Sequence, residues 1–205
     1  MDKEYWDLFY ADRSGRQDPS SFALEVNRLF PEKGTLLELG CGDGRDAIYF
    51  AGQGWNVIAT DLSANGILEA RKSITVGLEF VSVDVAESEF RDLLDSVISS
   101  SQLSPPLVYS RFFLHSLDDR EFNSLVLALN QPQAGFNQAH EFRVRGDENL
   151  PKTFGGHRRV FRELSAVKQS LIGASPRDVM LEVEGTGLAP YGEEDPVIGR
   201  LILGS

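Results

Sequence analysis

Residues 36–46 read Leu36-Leu37-Glu38-Leu39-Gly40-Cys41-Gly42-Asp43-Gly44-Arg45-Asp46. An apolar run ends in three glycines spaced by two, and a helical pattern over residues 45–53 follows, with Ala47, Ile48, Phe50 and Ala51 apolar. Strand, glycine turn and helix in that order predict a place where bare backbone approaches a ligand, with N–H groups at a helix N-terminus facing it. A dinucleotide loop of the form G-x-G-x-x-G needs its third glycine at position 45, which is Arg45. The spacing is instead Glu-x-Gly-x-Gly-x-Gly, and a carboxylate beside such a loop repels a pyrophosphate and suits a cation.

Outward from this stretch the chain alternates short apolar runs with helical patterns. Strands are expected at 35–39, 56–60, 78–83, 107–113, 136–144, 179–184 and 197–203. Helices are expected at 45–53, 64–73, 89–100, 118–130 and 160–171, with Asp118 able to cap the fourth. Two further short helices fall in residues 1–30, around a polar loop at 12–20. This order predicts an α/β fold, a doubly wound, seven-stranded, mostly parallel sheet whose last strand is antiparallel. One domain over 1–205 is expected, with residues 1–33 as a helical cover and 145–159 as a loop or lid.

Two acids stand where strands end. Asp61 closes Val57-Ile58-Ala59-Thr60, 21 residues after Gly40, where a carboxylate can accept both hydroxyl hydrogen bonds of a ribose. Asp84 closes Phe80-Val81-Ser82-Val83 beside Val85, where it could accept from an adenine amino group.

Composition narrows the partners. In 205 residues there are 20 basic and 31 acidic side chains, a net charge of -11, which argues against a nucleic-acid binder and against an anionic membrane surface. Cys41 is the single cysteine, so the chain has no internal disulfide and no Cys-based zinc site; no metal is expected. No apolar run reaches the roughly 18 residues of a membrane span, and no signal peptide is visible, so a cytoplasmic setting is the default. One stretch runs against the acidity. Residues 141–159 hold Arg143, Arg145, Lys152, Arg158 and Arg159 against Glu141, Asp147 and Glu148, a net +2. Arginine pairs suit carboxylates and phosphates, and equally suit internal ion pairs.

Glu38-x-Gly40-x-Gly42-x-Gly44, Asp61 and Asp84, in register at three successive strand ends, resemble the class I S-adenosylmethionine methyltransferases, and Leu114-His115-Ser116-Leu117 resembles that family's segment after the fourth strand. The resemblance implies a Rossmann-like methyltransferase fold with S-adenosylmethionine as cofactor. It implies that Gly40, Gly42 and Gly44 hold the methionine part with Glu38 in support, that Asp61 holds the ribose, and that Asp84 and Val85 meet the adenine. Arg111 and His115 would lie near the transferred methyl, Arg111 on the cofactor side. Where many members carry an acid at the start of strand four, this chain has Pro105-Pro106-Leu107. Three further stretches, Tyr5-Trp6-Asp7 with Pro19-Ser20-Ser21-Phe22-Ala23, Ser110 through His115, and Glu141-Phe142-Arg143 with His157-Arg158-Arg159, resemble a subgroup of bacterial small-molecule or glycan methyltransferases.

That resemblance implies methyl transfer to an oxygen or nitrogen of a small polar acceptor, with a sugar, sugar nucleotide or glycan end as the leading class. The protein would act as a monomer or dimer. A protein or RNA methyltransferase and a non-catalytic cofactor-binding protein are the rivals. An acceptor with an ionisable proton calls for a base, and His115 and Glu141 are the candidates; the alternatives are a loop-orienting histidine and a structural ion pair. Arg143, His157, Arg158 and Arg159 are the candidate acceptor contacts, and an anionic acceptor would suit them. His140 reads as a satisfied core histidine and Cys41 as a small residue packed behind the cofactor. Tyr5, Trp6, Phe9 and Tyr10 read either as a cover over the pocket or as core.

Overall fold

Glu38 sits on a strand flanked on both sides by parallel neighbours. The computed structural model describes residues 3–11, 18–73, 75–101, 104–131, 135–152, 156–173 and 177–205. Strand β1 (Thr35–Leu39) pairs in parallel with β2 (Asn56–Asp61) and with β4 (Leu107–Arg111). With β3 (Leu78–Ser82), β5 (Asn137–Arg143), β6 (Val179–Gly185) and β7 (Ile198–Leu203), these form a seven-stranded sheet of order β3-β2-β1-β4-β5-β7-β6. Strands β1 to β5 are parallel, and β7 runs antiparallel to both β5 and β6, as expected. The strand order reverses at β1 and β4, which is where open α/β sheets leave a crevice beyond their carboxyl ends.

The alternation of side chains along β1 explains the two cores. Leu37 and Leu39 point into one apolar cluster, with Val108, Phe90 and Leu94 of α5 (Ser88–Ser100), Phe122 and Leu125 of α6 (Asp119–Leu129) and Val167 of α7 (Leu164–Ile172). Leu36 points into the other, with Phe22 and Val26 of α2 (Ser21–Leu29), Ala47 and Phe50 of α3 (Arg45–Gly52), and Ile67 of α4 (Ala64–Ala70). Burial on both faces makes β1 and β4 near-continuous apolar runs, whereas the edge strand β6 has no buried residue.

Local chemistry sets the helix ends. Asp118 caps α6 through a complete capping box: its carboxylate accepts from the Glu121 N–H, and the Glu121 carboxylate accepts from the Asp118 N–H, each at 2.8 Å. Ser20 caps α2 and Ser63 caps α4. Helix α7 starts at Leu164, not at residue 160 as the periodicity predicts. The Val160 N–H donates to the His115 carbonyl at 2.8 Å, and Arg162 pairs as an isolated bridge with Val144, so residues 160–162 form an extended strap. Strands 78–83, 107–113 and 136–144 are likewise shorter at their ends than expected, and part of the 12–20 loop, residues 12–17, lies outside the described residues. Helix α1 (Lys3–Ala11) packs on α4. Among the described residues no helix is long and apolar enough to cross a membrane.

Phe50 is fully buried, with its ring centroid 5.0 Å from Tyr109 and 6.0 Å from Trp55. Truncating it leaves a cavity between α3 and the sheet. Phe50→Ala is expected to lower the unfolding free energy by about 3–5 kcal/mol in urea titrations; a loss under about 1 kcal/mol would contradict this packing.

Candidate active site

The residues after β1 form a turn in which Gly40, Gly42 and Gly44 take φ of 72°, 56° and 78°. A side chain is disfavoured there by backbone strain and also by space. A Cβ on Gly40 would stand 2.4 Å from the Phe113 ring, and one on Gly42 would stand 2.1 Å from the Tyr10 hydroxyl. The space a side chain would take at these glycines is filled by the protein's own rings, while the backbone of Gly40 lines the cavity. Four of the turn's N–H groups are also taken. Gly40 and Cys41 donate to the Thr60 carbonyl at 2.8 and 2.9 Å, Gly42 donates to Asp61 Oδ2 at 2.8 Å, and Gly44 donates to the Cys41 carbonyl at 2.9 Å. Such a loop is a poor anion cradle.

A cavity opens at this turn, at the carboxyl ends of β1, β2 and β4. Of the residues singled out in the sequence, Glu38, Gly40, Asp61, Arg111, His115, Arg143, His157 and Arg159 line it, together with Tyr5, Trp6, Phe9 and Tyr10 of α1. Gly42, Gly44, Asp84, Val85, Glu141 and Arg158 are not part of the lining.

Four lining carboxylates gather at one end. Glu38 is 3% exposed, and its Oε2 has no hydrogen-bond partner among the described residues. Burial, together with Asp46, Asp43 and Asp61 nearby, holds its pKa well above the carboxylate range. Asp61 accepts from the N–H groups of Gly42 and Ser63, each at 2.8 Å, and burial outweighs these bonds to raise its pKa. Asp46 accepts from the Ser20 N–H and hydroxyl and from the Tyr109 hydroxyl, at 2.8, 2.7 and 2.8 Å. Cys41 lies among these acids, and burial with the acids' field pushes its thiol well up, so it stays protonated and unreactive.

The basic end follows β4. Phe112 has φ of 52°, a left-handed conformation unusual for an aromatic residue. Its ring lies 4.4 Å from the Arg111 guanidinium and 5.5 Å from that of Arg143. His115 is buried, and its Nδ1 accepts from the Arg143 N–H at 3.2 Å. Burial, then Arg143 and Arg159, lower its pKa well below the usual imidazole value, so the ring is neutral and carries its proton on Nε2. That makes it a hydrogen-bond donor at Nε2, whereas the sequence suggested a base. His157 packs against the rings of Tyr5 and Trp6, with centroids at 4.7 and 4.8 Å.

Several expected contacts are placed elsewhere. Glu141 has no exposed surface and pairs with Arg111 Nε at 2.9 Å and Arg200 Nε at 2.8 Å, so the structure makes it an internal anchor and not an acceptor base. Arg158 pairs with Asp118 and Glu121 at the start of α6, at 3.5 and 3.3 Å. Asp84 Oδ1 closes its own turn by accepting from the Ala86 N–H at 2.9 Å, and Val85 is buried in the core. His140 is the satisfied core histidine expected, bonded to Ser110 and Gln138 and pushed down to about 3.

With this geometry in place, residues 14–131, more than half of the chain, match the family model described as a methyltransferase domain. The chain belongs to this methyltransferase family. No curated protein sequence matches the methyltransferase. Solved structures do match it, at identities that speak to fold alone. A SAM-dependent methyltransferase from Anabaena variabilis ATCC 29413 aligns with TM-score 0.71 at 13% identity, over 98% of this chain and 92% of the other. A structure reported for the conversion of a disulfide bond into a thioacetal group during echinomycin biosynthesis aligns with TM-score 0.68 at 17% identity, over 99% and 92%. The glycopeptide N-methyltransferase MtfA aligns with TM-score 0.62 at 18% identity, over 92% and 97%; it has also been solved with S-adenosyl-L-homocysteine.

Four side chains that line or brace the cavity carry no candidate role in the sequence. Asp46 was legible, as an acid in the first turn of the helix after the glycines. Phe112, Glu194 and Arg200 carry no local signal; their roles come from contacts with distant segments.

Glu38 also makes a pH prediction. A carboxylate whose folded pKa is raised keeps its proton in the folded state after the unfolded chain has lost it, so the wild type loses stability as pH rises from the ordinary value of 4.5 toward the raised one. Glu38→Gln removes that loss. Its ligand-free urea midpoint is expected to exceed that of the wild type by an amount that grows with pH above 4.5. A gap that stays constant with pH would contradict the assignment.

Proposed function

We propose that this protein transfers a methyl group from S-adenosylmethionine to an oxygen or nitrogen of a small polar acceptor. The observation that carries this reading is the buried Glu38 carboxylate, without a hydrogen-bond partner for Oε2, in a cavity that also holds Asp43, Asp46 and Asp61. An acidic end built on a turn in which four N–H groups are already taken favours a cationic ligand over a phosphate. When bound, S-adenosylmethionine supplies a methyl group activated by its sulfonium centre, and its α-ammonium adds a second positive charge.

The residues present fit that cofactor. Glu38 would hold positive charge with an oxygen that has no partner in the protein. Asp61 keeps acceptor capacity for ribose hydroxyls beyond its two backbone bonds, because an ionised carboxylate has about four lone-pair sites. Phe113 and Cys41 form apolar wall beside Gly40. The rings of α1 line the cavity, where they would shield a bound cofactor from water, which matters because the chemistry needs alignment and a dry site more than it needs acid or base. His115 offers Nε2–H to orient the acceptor.

Among the structural neighbours, MtfA is by its own description a glycopeptide N-methyltransferase, which supports nitrogen as one of the two acceptor atoms. The sugar, sugar nucleotide or glycan end rests on the resemblance of three sequence stretches, and no described lining residue singles out a sugar ring. Net charge of -11 supports a partner other than nucleic acid.

The test is titration calorimetry with S-adenosylmethionine. Binding at micromolar level is expected for the wild type, weakened about 10- to 100-fold in Asp61→Asn, the scale of losing a hydrogen bond to a charged group. No heat and no thermal shift with the folded wild type would overturn the reading.

A further inference from the structure

Two arginines share the buried acid of β5, and they differ in what is left over. Arg111, Glu141 and Arg200 stand in register on β4, β5 and β7. One carboxylate oxygen of Glu141 meets Arg111 Nε at 2.9 Å, and the other meets Arg200 Nε at 2.8 Å. The rest of the Arg200 guanidinium is fully used. Its Nη1 donates to Glu25 Oε2 at 2.8 Å, and its Nη2 donates to Ser21 Oγ at 2.7 Å and to the Leu188 carbonyl at 2.8 Å. Arg111 differs. Neither of its Nη atoms has a hydrogen-bond or ion-pair partner among the described residues. Its guanidinium lies 4.4 Å from the Phe112 ring and has its Nε edge against Glu141, so the Nη edge remains, on a residue that lines the cavity.

Strand register sets that edge beside the acidic end. Leu39 aligns with Ser110, so the chain leaves β1 at Gly40 next to Arg111. Glu38 aligns with Tyr109, and Arg111 lies two residues beyond Tyr109, so Glu38 and Arg111 belong to the same face of the sheet. Both line the cavity, and no ion pair joins them. Glu38 Oε2 has no hydrogen-bond partner among the described residues, and neither has the Nη edge of Arg111. Buried polar groups left this way are costly unless a ligand completes them. An acid and a cation on neighbouring strands, kept apart and each with an unpaired edge, match a ligand that carries both charges itself. An α-amino acid group does so, with ammonium and carboxylate on one carbon. A guanidinium edge takes a carboxylate in two parallel hydrogen bonds.

The ion pairs behind Arg111 explain why its edge is ready. Glu141 is fixed by Arg200, which is tied in turn to α2 and to the Leu188 carbonyl. A guanidinium oriented before the ligand arrives loses less freedom on binding. Burial works against the charge of Arg111, and Glu141 with Asp46 outweighs burial, so its pKa rises and it stays ionised.

Resting on the methyltransferase reading above, we propose that Arg111 clamps the α-carboxylate of the cofactor's amino acid end, opposite Glu38, and that Glu141 and Arg200 are the positioning residues of the clamp.

The experiment is titration calorimetry on the full chain with two ligands, S-adenosyl-L-homocysteine and its decarboxylated analogue, which keeps the adenosine, the thioether and the amine. The wild type is expected to prefer S-adenosyl-L-homocysteine by about 10- to 100-fold, the scale of hydrogen bonds to a charged group. Arg111→Gln is expected to bring the two affinities within about threefold of each other, by weakening S-adenosyl-L-homocysteine alone. Arg111→Lys keeps the charge and loses the fork, and is expected to fall between. Glu141→Gln leaves Arg111 in the chain and is expected to shrink the preference by at least about threefold, whereas a merely structural role would weaken both ligands alike. Where circular dichroism shows that Glu141→Gln does not fold, Glu141→Asp, which keeps the charge and draws it back from Arg111, is read in the same way. Equal binding of the two ligands by the wild type would overturn the clamp, and so would Arg111→Gln weakening both alike. Folded Glu141 variants with the wild-type preference would overturn the positioning role. Absence of any S-adenosyl-L-homocysteine binding by the folded wild type would instead strike the methyltransferase reading beneath it.

Discussion

One buried carboxylate joins the parts of this site. Asp61 ends β2 and accepts from the N–H of Gly42 in the turn after β1 and from the N–H of Ser63 at the start of α4. Ser63 in turn caps α4 and donates its hydroxyl to Asp7 of α1 at 2.7 Å. The turn, the second helix cap and the aromatic cover are thus all referred to one acid at the carboxyl edge of the sheet. Parallel pairing makes this possible: Leu39 aligns with Thr60, so the chain leaving β1 is already beside the Thr60 carbonyl that takes the Gly40 and Cys41 N–H groups. A different register would separate the glycines from Asp61 and dissolve the acidic end of the cavity.

The second constraint is the ion-pair column under β5. Glu141 is fully buried between Arg111 of β4 and Arg200 of β7, and Arg200 also reaches Glu25 of α2. A buried carboxylate with two guanidiniums is costly to desolvate and much costlier to break than to keep. It fixes Arg111 at the cavity wall and joins the antiparallel end of the sheet to the helical cover. Charge that looked catalytic in the sequence thus acts by positioning its neighbour.

What the sequence revealed and what it hid divide along range. The glycine turn, the strand-end acid Asp61 and the Asp118 capping box are written in spans of a few residues, and each was legible. The central strands β1 and β4 were legible as apolar runs because both of their faces are buried, and the edge strand β6 by its alternation. Of the two partners of Glu141, Arg111 was among the candidates and Arg200, 59 residues away along the chain, was not. The start of α7 was misread because the strap to His115 is a tertiary contact that overrides helical periodicity. Arg158 was grouped with Arg159, but Arg158 is drawn to Asp118 and Glu121, and only Arg159 lines the cavity. The left-handed Phe112 and the Nε2–H form of His115 depend on distant hydrogen bonds and leave no mark in composition or spacing.

The account stands on the acidic end of the cavity being the adenosyl-cofactor site. A crystal structure of the protein soaked with S-adenosyl-L-homocysteine tests this most directly. The account predicts density for the ligand at the turn formed by Gly40, Cys41 and Gly42, with its ribose hydroxyls within hydrogen-bond distance of Asp61 and its amino group facing Glu38. Density that places the ligand away from Asp61 and Glu38, or an occupied site elsewhere with this cavity empty, would contradict it.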